Sequence, residues 1–352
     1  MKRAEEGSAK SLWAARRAAV RPQRVELTGE GLVKLSALED GGRLPLVVEP
    51  RLEDLSLPAW VRENLGLIDA KLLEHGGLLF RGFRVGGREE FEQFIEALGL
   101  SPMSYMEAAT PRTKLSERVY TSTEFPAEQA IALHNELSYV STFPTKILFC
   151  CLQPAERGGG TPIGNVERVY ARIPADVRER FERKGWMLVR NFGGGFGPTW
   201  QHSYHVADRE GAERYFRAAG VEFEWAGGER LRTRQVRPVT AHHPRTGATV
   251  WFNHVAFWHV STLEPKLREM LLAEFGEEGL PYNTYYGDGA RIEESVIEEL
   301  REAYRRETVV FPWRAGDILL LENMLVAHGR EPFEGERRVL AAMGDPHRRE
   351  DI

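Results

Sequence analysis

The most constraining feature of this sequence is a series of short apolar runs, separated by glycine and proline, that begins near residue 118. The runs are RVYTST, AIALHNELSY, TKILFCCL and TPIGNV, followed near the C-terminus by TVVFPW, DILLLENMLVAHG and RRVLAAMGD. Runs of this length and composition are typical of β-strands. They do not alternate strictly with helices, as a parallel βαβ sheet would require. The pattern predicts a mainly β fold with flanking helices, a double-stranded β-helix or cupin-like jelly-roll barrel.

The length of the chain sets its domain organisation. With 352 residues, of which 42% are hydrophobic, it can bury the core of one large domain or of two smaller ones. Residues 1–40 are charged and weakly patterned, and we interpret them as an N-terminal extension. Residues 41–352 are predicted to form a single jelly-roll domain, with a helical and loop insertion around 175–300. Within it, residues 54–75 have helical spacing and end at a Gly-Gly pair.

The net charge and the cysteine content limit the classes of binding partner and the cellular compartment that can be expected. The net charge of -5 argues against nucleic acid and against an anionic membrane surface as partners. No stretch approaches 18 uninterrupted apolar residues, so no membrane span is predicted. Cys150 and Cys151 are adjacent in a strand-like run and would point to opposite faces, which fits reduced thiols in the cytoplasm. The expected partner is a small molecule, and a homo-oligomer is compatible with the sequence.

The segment AIALHNELSY contains a histidine and a carboxylate two residues apart. In an extended strand, His134 and Glu136 would point to one face, with Asn135 facing away. Such a pair alone is weak evidence, because a histidine beside a solvated acid is common. The strand-like run DILLL, however, leads to a second histidine, His328.

Two histidines and one carboxylate are the ligand set that leaves positions open on non-heme Fe(II). Arg338, ten residues after His328 at the start of a returning strand, could hold the far carboxylate of a dicarboxylate through a two-pronged hydrogen bond. The same ligands also suit catalytic zinc in a hydrolase, although the HExxH motif is lacking. A non-catalytic scaffold on the same barrel is a third possibility.

Several motifs together resemble the TauD/TfdA-like family of Fe(II)/2-oxoglutarate oxygenases over about residues 70–345. They are the His-x-Glu triplet, the GGGT turn, the distal histidine in the context of Asn-x(4)-His-Gly-Arg, and the Arg-Arg pair that follows. Within the family, HNELSY, FPTKILFCCLQPAERGGGTPIGN and AHGREPFEGERRVL are most similar to the branch of the syringomycin-biosynthesis aspartyl hydroxylase and clavaminate-synthase-like proteins.

The resemblance implies the cofactors Fe(II), 2-oxoglutarate and O2, and it implies roles for particular residues. The implied iron ligands are His134, Glu136 and His328. Thr161 would hydrogen-bond the cosubstrate, and Arg338 would bind its C5 carboxylate. Arg337 is the less favoured twin, because neighbouring strand residues point in opposite directions.

Two departures from the family pattern bear on the reaction. Glu136 stands where most members have Asp, and it keeps an oxygen ligand where related halogenases have a small residue. Ala342 occupies the position of the arginine that grips a sulfonate substrate in some members. We therefore expect hydroxylation of an amino acid or amino-acid-like unit, free or tethered to a carrier protein, with desaturation as the alternative outcome.

Substrate contacts are predicted from residues near the metal strand and the glycine-rich loop. The candidates are Arg112, Tyr120, Ser122, Trp200 and Asn253, and packing or turn formation is the alternative for each. The remaining histidines are expected to be structural. The basic run Arg178, Arg180, Arg183 and Lys184 is expected to be a solvated helix face rather than a carrier-docking surface.

Overall fold

Strands form the centre of the molecule and helices pack around them. The computed structural model describes residues 29–38, 42–103, 113, 115–116, 118–121 and 125–351. The strands are β1 (Val33–Ser36), β2 (Leu46–Pro50), β3 (Gly77–Phe80), β4 (Val119–Thr121), β5 (Ile131–His134), β6 (Thr142–Gln153), β7 (Arg157–Gly158), β8 (Ile163–Asn165), β9 (Trp186–Phe192), β10 (Glu222–Trp225), β11 (Leu231–Arg237), β12 (Thr240–His242), β13 (Thr249–Trp251), β14 (Tyr282–Tyr286), β15 (Thr308–Val309), β16 (Ile318–Glu322), β17 (Val326–Arg330), β18 (Phe333–Glu334) and β19 (Arg338–Arg348).

The helices begin and end at the signals that the sequence provides. They are α1 (Leu57–Glu63), α2 (Leu65–His75), α3 (Arg88–Leu98), α4 (Val166–Arg172), α5 (Ala175–Lys184), α6 (Trp200–Tyr204), α7 (Arg209–Ala219), α8 (Val255–Trp258), α9 (Pro265–Phe275) and α10 (Glu294–Glu307), with short 3-10 turns at Gly29–Leu32, Val260–Thr262 and Arg349–Asp351. The helical pattern of residues 54–75 is two helices, which break at Asn64. The second ends at Gly76 with φ of 76°, where a Cβ would lie 2.6 Å from Val326 Cγ2, so only glycine fits.

Two sheets provide the frame for the candidate site. The large sheet has the strand order β1-β2-β3-β16-β6-β19-β4, in which β2 and β3 are parallel and the other neighbours are antiparallel. The small sheet has the order β15-β8-β17-β5 and is antiparallel throughout. The described part of the chain is therefore a mainly β fold with flanking helices. None of its helices is long and apolar enough to cross a membrane.

The large sheet divides the core between its two faces. One face, with Phe149, Cys151 and Ala341, packs in a cluster that includes residues of the small sheet. The other face, with Cys150 and Leu340, packs against α1, α2 and α3. This is the period-two alternation of a strand buried on both sides. The two cysteines are buried and unpaired and lie on opposite faces, as predicted.

The chain between β8 and β15 builds a further layer. Its four-stranded outer sheet has the order β10-β11-β9-β14. Helices α6 and α7 pack on this sheet and form a separate hydrophobic cluster with it. The short helix α8 contacts β5 of the small sheet and both β9 and β14 of the outer sheet. This helix therefore joins the added layer to the strand that carries His134.

A buried ion pair joins β3 to the start of β16. Arg81 donates to both carboxylate oxygens of Asp317, with Nη2 2.6 Å from Oδ2 and Nε 3.1 Å from Oδ1, and both side chains are buried. Arg81→Ala should lower the free energy of unfolding by about 3–5 kcal/mol, because it leaves a buried carboxylate without its cation. Arg84→Ala breaks an exposed pair with Asp54 and should cost less than about 1 kcal/mol. Urea denaturation measures both, and equal losses would contradict this interpretation.

Candidate metal centre

The two histidines of the predicted triad face each other across neighbouring strands. His134 on β5 is paired in register with His328 on β17, and their ring centroids are 4.5 Å apart. All five residues of β17 are buried, which holds His328 in a single environment. Between these strands a register shift follows His328, before Arg330. The small sheet thus brings together two imidazoles that lie 194 residues apart in the sequence.

Glu136 reaches the histidines from a turn rather than from an extended strand. Strand β5 ends at His134, and Leu137 has φ of 55°, in the left-handed region. The side chain of Glu136 is buried, and its Oε2 lies 3.6 Å from His328 Nε2. One ligand atom from each of His134, Glu136 and His328 lies within 4.8 Å of the others. The predicted convergence is present, but a turn produces it.

Hydrogen bonds fit these side chains to a metal ion. The Nδ1 of His134 lies 2.9 Å from the carbonyl oxygen of Ala132, so Nδ1 carries the proton and the lone pair is on Nε2. A backbone carbonyl of this kind is the usual outer partner of a metal-binding histidine. The buried Nδ1 of His328 has no hydrogen-bond partner among the residues that the structure describes, while its Nε2 faces Glu136. Two neutral imidazoles and one carboxylate are donors that non-heme Fe(II) accepts.

A second layer of rings surrounds the three ligand candidates. The ring centroids of Phe257 and His134 are 4.8 Å apart, and those of Phe149 and His328 are 5.0 Å apart. His254 lies 5.5 Å from His134, and its Nδ1 is 2.7 Å from Ser138 Oγ. Burial, more than any nearby charge, holds the pKa of His254 well below its usual range, so the ring is neutral. Glu136 and His328 are buried in these surroundings, whereas His134 is half-buried.

The glycine turn before β8 positions Thr161. Thr161 is buried, and its hydroxyl accepts a hydrogen bond of 3.0 Å from the indole Nε1 of Trp313. The backbone N–H of Gly160 donates to Glu331, just after β17, at 3.2 Å. At Gly158 a Cβ would lie 2.2 Å from the carbonyl oxygen of Pro332, so this close approach requires glycine. The turn is therefore attached to the chain that follows His328.

The two arginines of the Arg-Arg pair have different surroundings. Val339 packs in the core cluster that contains Phe149 and Leu340 packs in the cluster on the opposite face of the large sheet, but a register shift lies between Arg338 and Val339, so this alternation does not extend to the arginines. Arg337 is half-buried, and its Nε donates to the carbonyl oxygen of Gly159 at 2.9 Å. Arg338 is exposed. Arg337, not Arg338, thus lies beside the turn that carries Thr161.

A cavity of about 1000 Å³ lies beside these arginines. Its walls include Phe125, Arg330, Phe333, Arg337 and Arg338. Two guanidinium groups lie near the Phe333 ring. The guanidinium carbon is 5.1 Å from the ring centroid for Arg330 and 5.6 Å for Arg337. Burial, with a smaller contribution from the Arg330 charge, lowers the pKa of Arg337 to about 10. An anion placed here would favour the charged form of Arg337.

The predicted substrate residues are dispersed. Tyr120 is paired with Ala341 and is buried in the same cluster as Phe149, so it lies on the side of the large sheet that faces the ligand candidates. Trp200 packs in the separate cluster on the outer sheet and donates to Glu229 at 3.1 Å. The Asn253 amide is engaged with backbone groups of Val239 and Val255. Arg112 and Ser122 lie outside the described residues.

The basic run on α5 is largely neutralised by neighbouring acids. Arg180 pairs with Glu293 at 3.0 Å, and Lys184 pairs with Asp288 at 2.7 Å. This arrangement agrees with a solvated helix face.

Sequence reasoning missed two partners of the site. Trp313 holds Thr161 and was not singled out, because a tryptophan in the run TVVFPW reads as a core residue. Ser138 contacts His254, and no pattern in the sequence indicates that these two residues are close in space. Ser138 lies two residues after Glu136, so its proximity to the site was the only available clue.

Comparison with known proteins identifies the class to which this fold and site belong. The family model described as "Taurine catabolism dioxygenase TauD, TfdA family" matches residues 42–343. The dapdiamide synthesis protein DdaC of Enterobacter agglomerans is 40% identical over 279 residues, 79% of this chain and 85% of that protein. A clavaminate synthase-like protein of Arabidopsis thaliana is 29% identical over 318 residues, 85% of this chain and 93% of that protein.

Solved structures agree with the sequence comparison. The PvcB protein from Pseudomonas aeruginosa aligns with a TM-score of 0.54 and 17% sequence identity, covering 89% of this chain and 91% of that one. At this identity the likeness shows a shared fold. The chain belongs to the TauD/TfdA family of dioxygenases. It is accordingly a non-heme dioxygenase that depends on Fe(II), 2-oxoglutarate and O2.

Proposed function

We propose that this enzyme hydroxylates an aliphatic C–H bond of an amino acid or amino-acid-like substrate in secondary metabolism. The observation that carries the proposal is the convergence of His134, Glu136 and His328 beside the turn that bears Thr161 and that Arg337 contacts. The 40% identity to a dapdiamide synthesis protein supports a biosynthetic role. The substrate is a small molecule, free or presented by a carrier protein, and the proposal allows a homo-oligomer in the cytoplasm.

In this proposal His134, Glu136 and His328 hold the iron. When bound, the iron and 2-oxoglutarate supply an oxidation in which O2 is consumed, 2-oxoglutarate loses CO2 to become succinate, and a substrate C–H becomes C–OH. Glu136 contributes a negative charge and fills the position that halogenases of this family leave open for halide. Hydroxylation is therefore favoured over halogenation, and desaturation remains the alternative.

The cosubstrate is held by the second set of residues. We assign the C5 carboxylate of 2-oxoglutarate to Arg337 in place of Arg338, because Arg337 lies beside Gly159 and Arg338 is exposed. Its planar guanidinium offers the parallel hydrogen bonds that a carboxylate accepts. Thr161, fixed by Trp313, contributes a hydroxyl beside the same space. The position four residues after Arg337 is Ala341, so a sulfonate-gripping arginine is lacking in this register as well.

The proposal includes the architecture of the whole chain. We infer that the large and small sheets are the two halves of a double-stranded β-helix, with a shared core between them. Residues 41–352 then form one oxygenase domain, and the outer sheet belongs to an insertion around residues 175–300. The described part of residues 1–40, the proposed extension, contributes β1 to the large sheet, and its other residues mostly lie outside the described ones. The barrel would open where β5 and β17 present the ligand candidates.

Absorption under anaerobic conditions tests the proposed function. Fe(II) and 2-oxoglutarate added together should give a weak visible charge-transfer band, because the keto acid would chelate the iron that the triad holds. Admitting O2 with a panel of amino acids should then produce succinate. A protein that gives no band, retains zinc and hydrolyses a test ester would favour the zinc hydrolase instead.

A further inference from the structure

We propose that Asn323 is a positioning residue that sets the place of the Glu136 carboxylate relative to His328. This inference rests on the proposed function, because it takes Glu136 as a metal ligand. Asn323 lies in the turn between β16 and β17, five residues before His328, and it is completely buried. Its side-chain amide bonds to the backbone of Glu136, one of the three ligand candidates.

One side-chain amide engages both backbone polar groups of Glu136. The Oδ1 of Asn323 accepts a hydrogen bond of 2.8 Å from the Glu136 N–H, and its Nδ2 donates to the Glu136 carbonyl oxygen at 2.9 Å. The same Nδ2 donates to the carbonyl oxygen of Pro144 at 2.7 Å. A primary amide that pairs with a peptide in this way fixes its position and its orientation together.

The contact is reciprocal. Asn135 Nδ2 donates to the Asn323 carbonyl oxygen at 2.6 Å, and the Asn323 N–H donates to Thr145 on β6 at 2.8 Å. The side chain and backbone of Asn323 therefore connect three segments: the turn that holds Glu136, the long strand β6, and the hairpin that carries His328. Movement of Glu136 away from His328 would break several buried hydrogen bonds at once.

The backbone after Glu136 explains why such a clamp is needed. Leu137 adopts φ of 55°, in the left-handed region that is unfavourable for a residue with a Cβ. Strained residues of this kind persist where their surroundings determine them fully. Beyond Leu137, Ser138 donates from its N–H to the Asn135 carbonyl at 3.2 Å. Asn323 thus holds a strained turn in the shape that presents the carboxylate.

The isosteric variant Asn323→Asp tests this inference. It keeps the shape of the side chain but replaces the donor Nδ2 by an oxygen that faces two carbonyl oxygens. Titration of the metal-free protein with Co(II), followed by visible absorption, should show affinity about 10–100-fold weaker than wild type, as is typical when an outer partner of a ligand is lost. The Co(II) absorption bands should also change, because the carboxylate ligand is displaced.

Asn191→Asp is the matched control. Its Nδ2 likewise donates to two backbone carbonyls, those of Glu278 at 2.9 Å and Leu280 at 2.7 Å, but on the outer sheet. This control should lower the midpoint of thermal unfolding while leaving the Co(II) affinity and bands unchanged. If Asn323→Asp also lost stability without a change in Co(II) affinity or absorption bands, Asn323 would have only a structural role.

A second variant keeps the test decisive if Asn323→Asp does not fold. Asn135→Ala removes the bond to the Asn323 carbonyl from the opposite side and should weaken Co(II) binding several-fold. Wild-type affinity and bands in every folded variant of this pair would overturn the inference. If wild-type protein itself binds no Co(II), it is the proposed metal site that fails, and the two failures are distinguishable.

Discussion

His328→Ala should bind Fe(II) more than about 100-fold more weakly than wild type and should form no detectable succinate. Loss of an outer partner of a metal ligand alone costs 10–100-fold in affinity, so loss of the ligand exceeds that range. The remaining pair, His134 and Glu136, would offer only two protein donors. The measurement is the anaerobic charge-transfer band together with an Fe(II) titration by calorimetry.

His243→Ala is the control for the loss of a buried histidine. His243 is buried, and its Nδ1 accepts from the N–H groups of Arg245 at 3.3 Å and Thr246 at 3.1 Å, in the loop between β12 and β13. This variant should lose stability and keep the band. Glu136→Gln adds a variant of nearly unchanged shape, which should also lose Fe(II) because the amide carries no charge. Retention of the band in His328→Ala would exclude His328 from the ligand set.

The sequence was sufficient to anticipate which side chains meet. Period-two alternation, a β-rich pattern and the two histidines predict a common face, and the structure brings His134, Glu136 and His328 together. The choice of side chains succeeds because it depends on residue type, whereas Glu136 converges through a turn and not through the period of a strand. The buried faces of β6 and β19 likewise follow from their apolar runs.

The details that the sequence could not provide depend on register and on tertiary contacts. Glu136 sits on a turn whose backbone is hydrogen-bonded by Asn323, 187 residues away in the sequence. Trp200 follows a glycine-rich loop that suggests a lid, yet its indole packs on the outer sheet, where Trp225 lies 5.2 Å away. A helical pattern runs through Asn64 without interruption, but the side chain of Asn64 donates to Trp60 and the helix breaks there. No local pattern encodes such contacts.

Which of the two side chains, Arg337 or Arg338, points toward the core also depends on tertiary contacts. Between His328 and β19 the chain passes through β18 and a turn at Gly335, where φ is 79°. Counting residues from the histidine therefore cannot determine which arginine faces the core. A register shift between Arg338 and Val339 also breaks the alternation of the strand, so the bond from Arg337 to Gly159 and the greater burial of Arg337 distinguish the two arginines instead.

Arg337→Ala should raise the KM for 2-oxoglutarate by about 100-fold or more and change kcat much less. In the proposal the variant would remove two charge-assisted hydrogen bonds to the C5 carboxylate, each worth about 1.5–3 kcal/mol. Arg337→Lys keeps the positive charge but loses the planar fork, and its KM should lie between those of wild type and the alanine variant. The measurement is succinate formation as a function of 2-oxoglutarate concentration at saturating Fe(II).

Arg338→Ala is the matched control, because it removes the same type of side chain from the adjacent position. Arg338 is exposed, so its KM for 2-oxoglutarate should stay within about threefold of wild type. Both alanine variants should retain the Co(II) bands of the wild type, since neither residue is a metal ligand in the proposal. A large KM effect confined to Arg338→Ala would restore the assignment that the family pattern favours, and it would mean that β19 shifts by one residue when the cosubstrate binds.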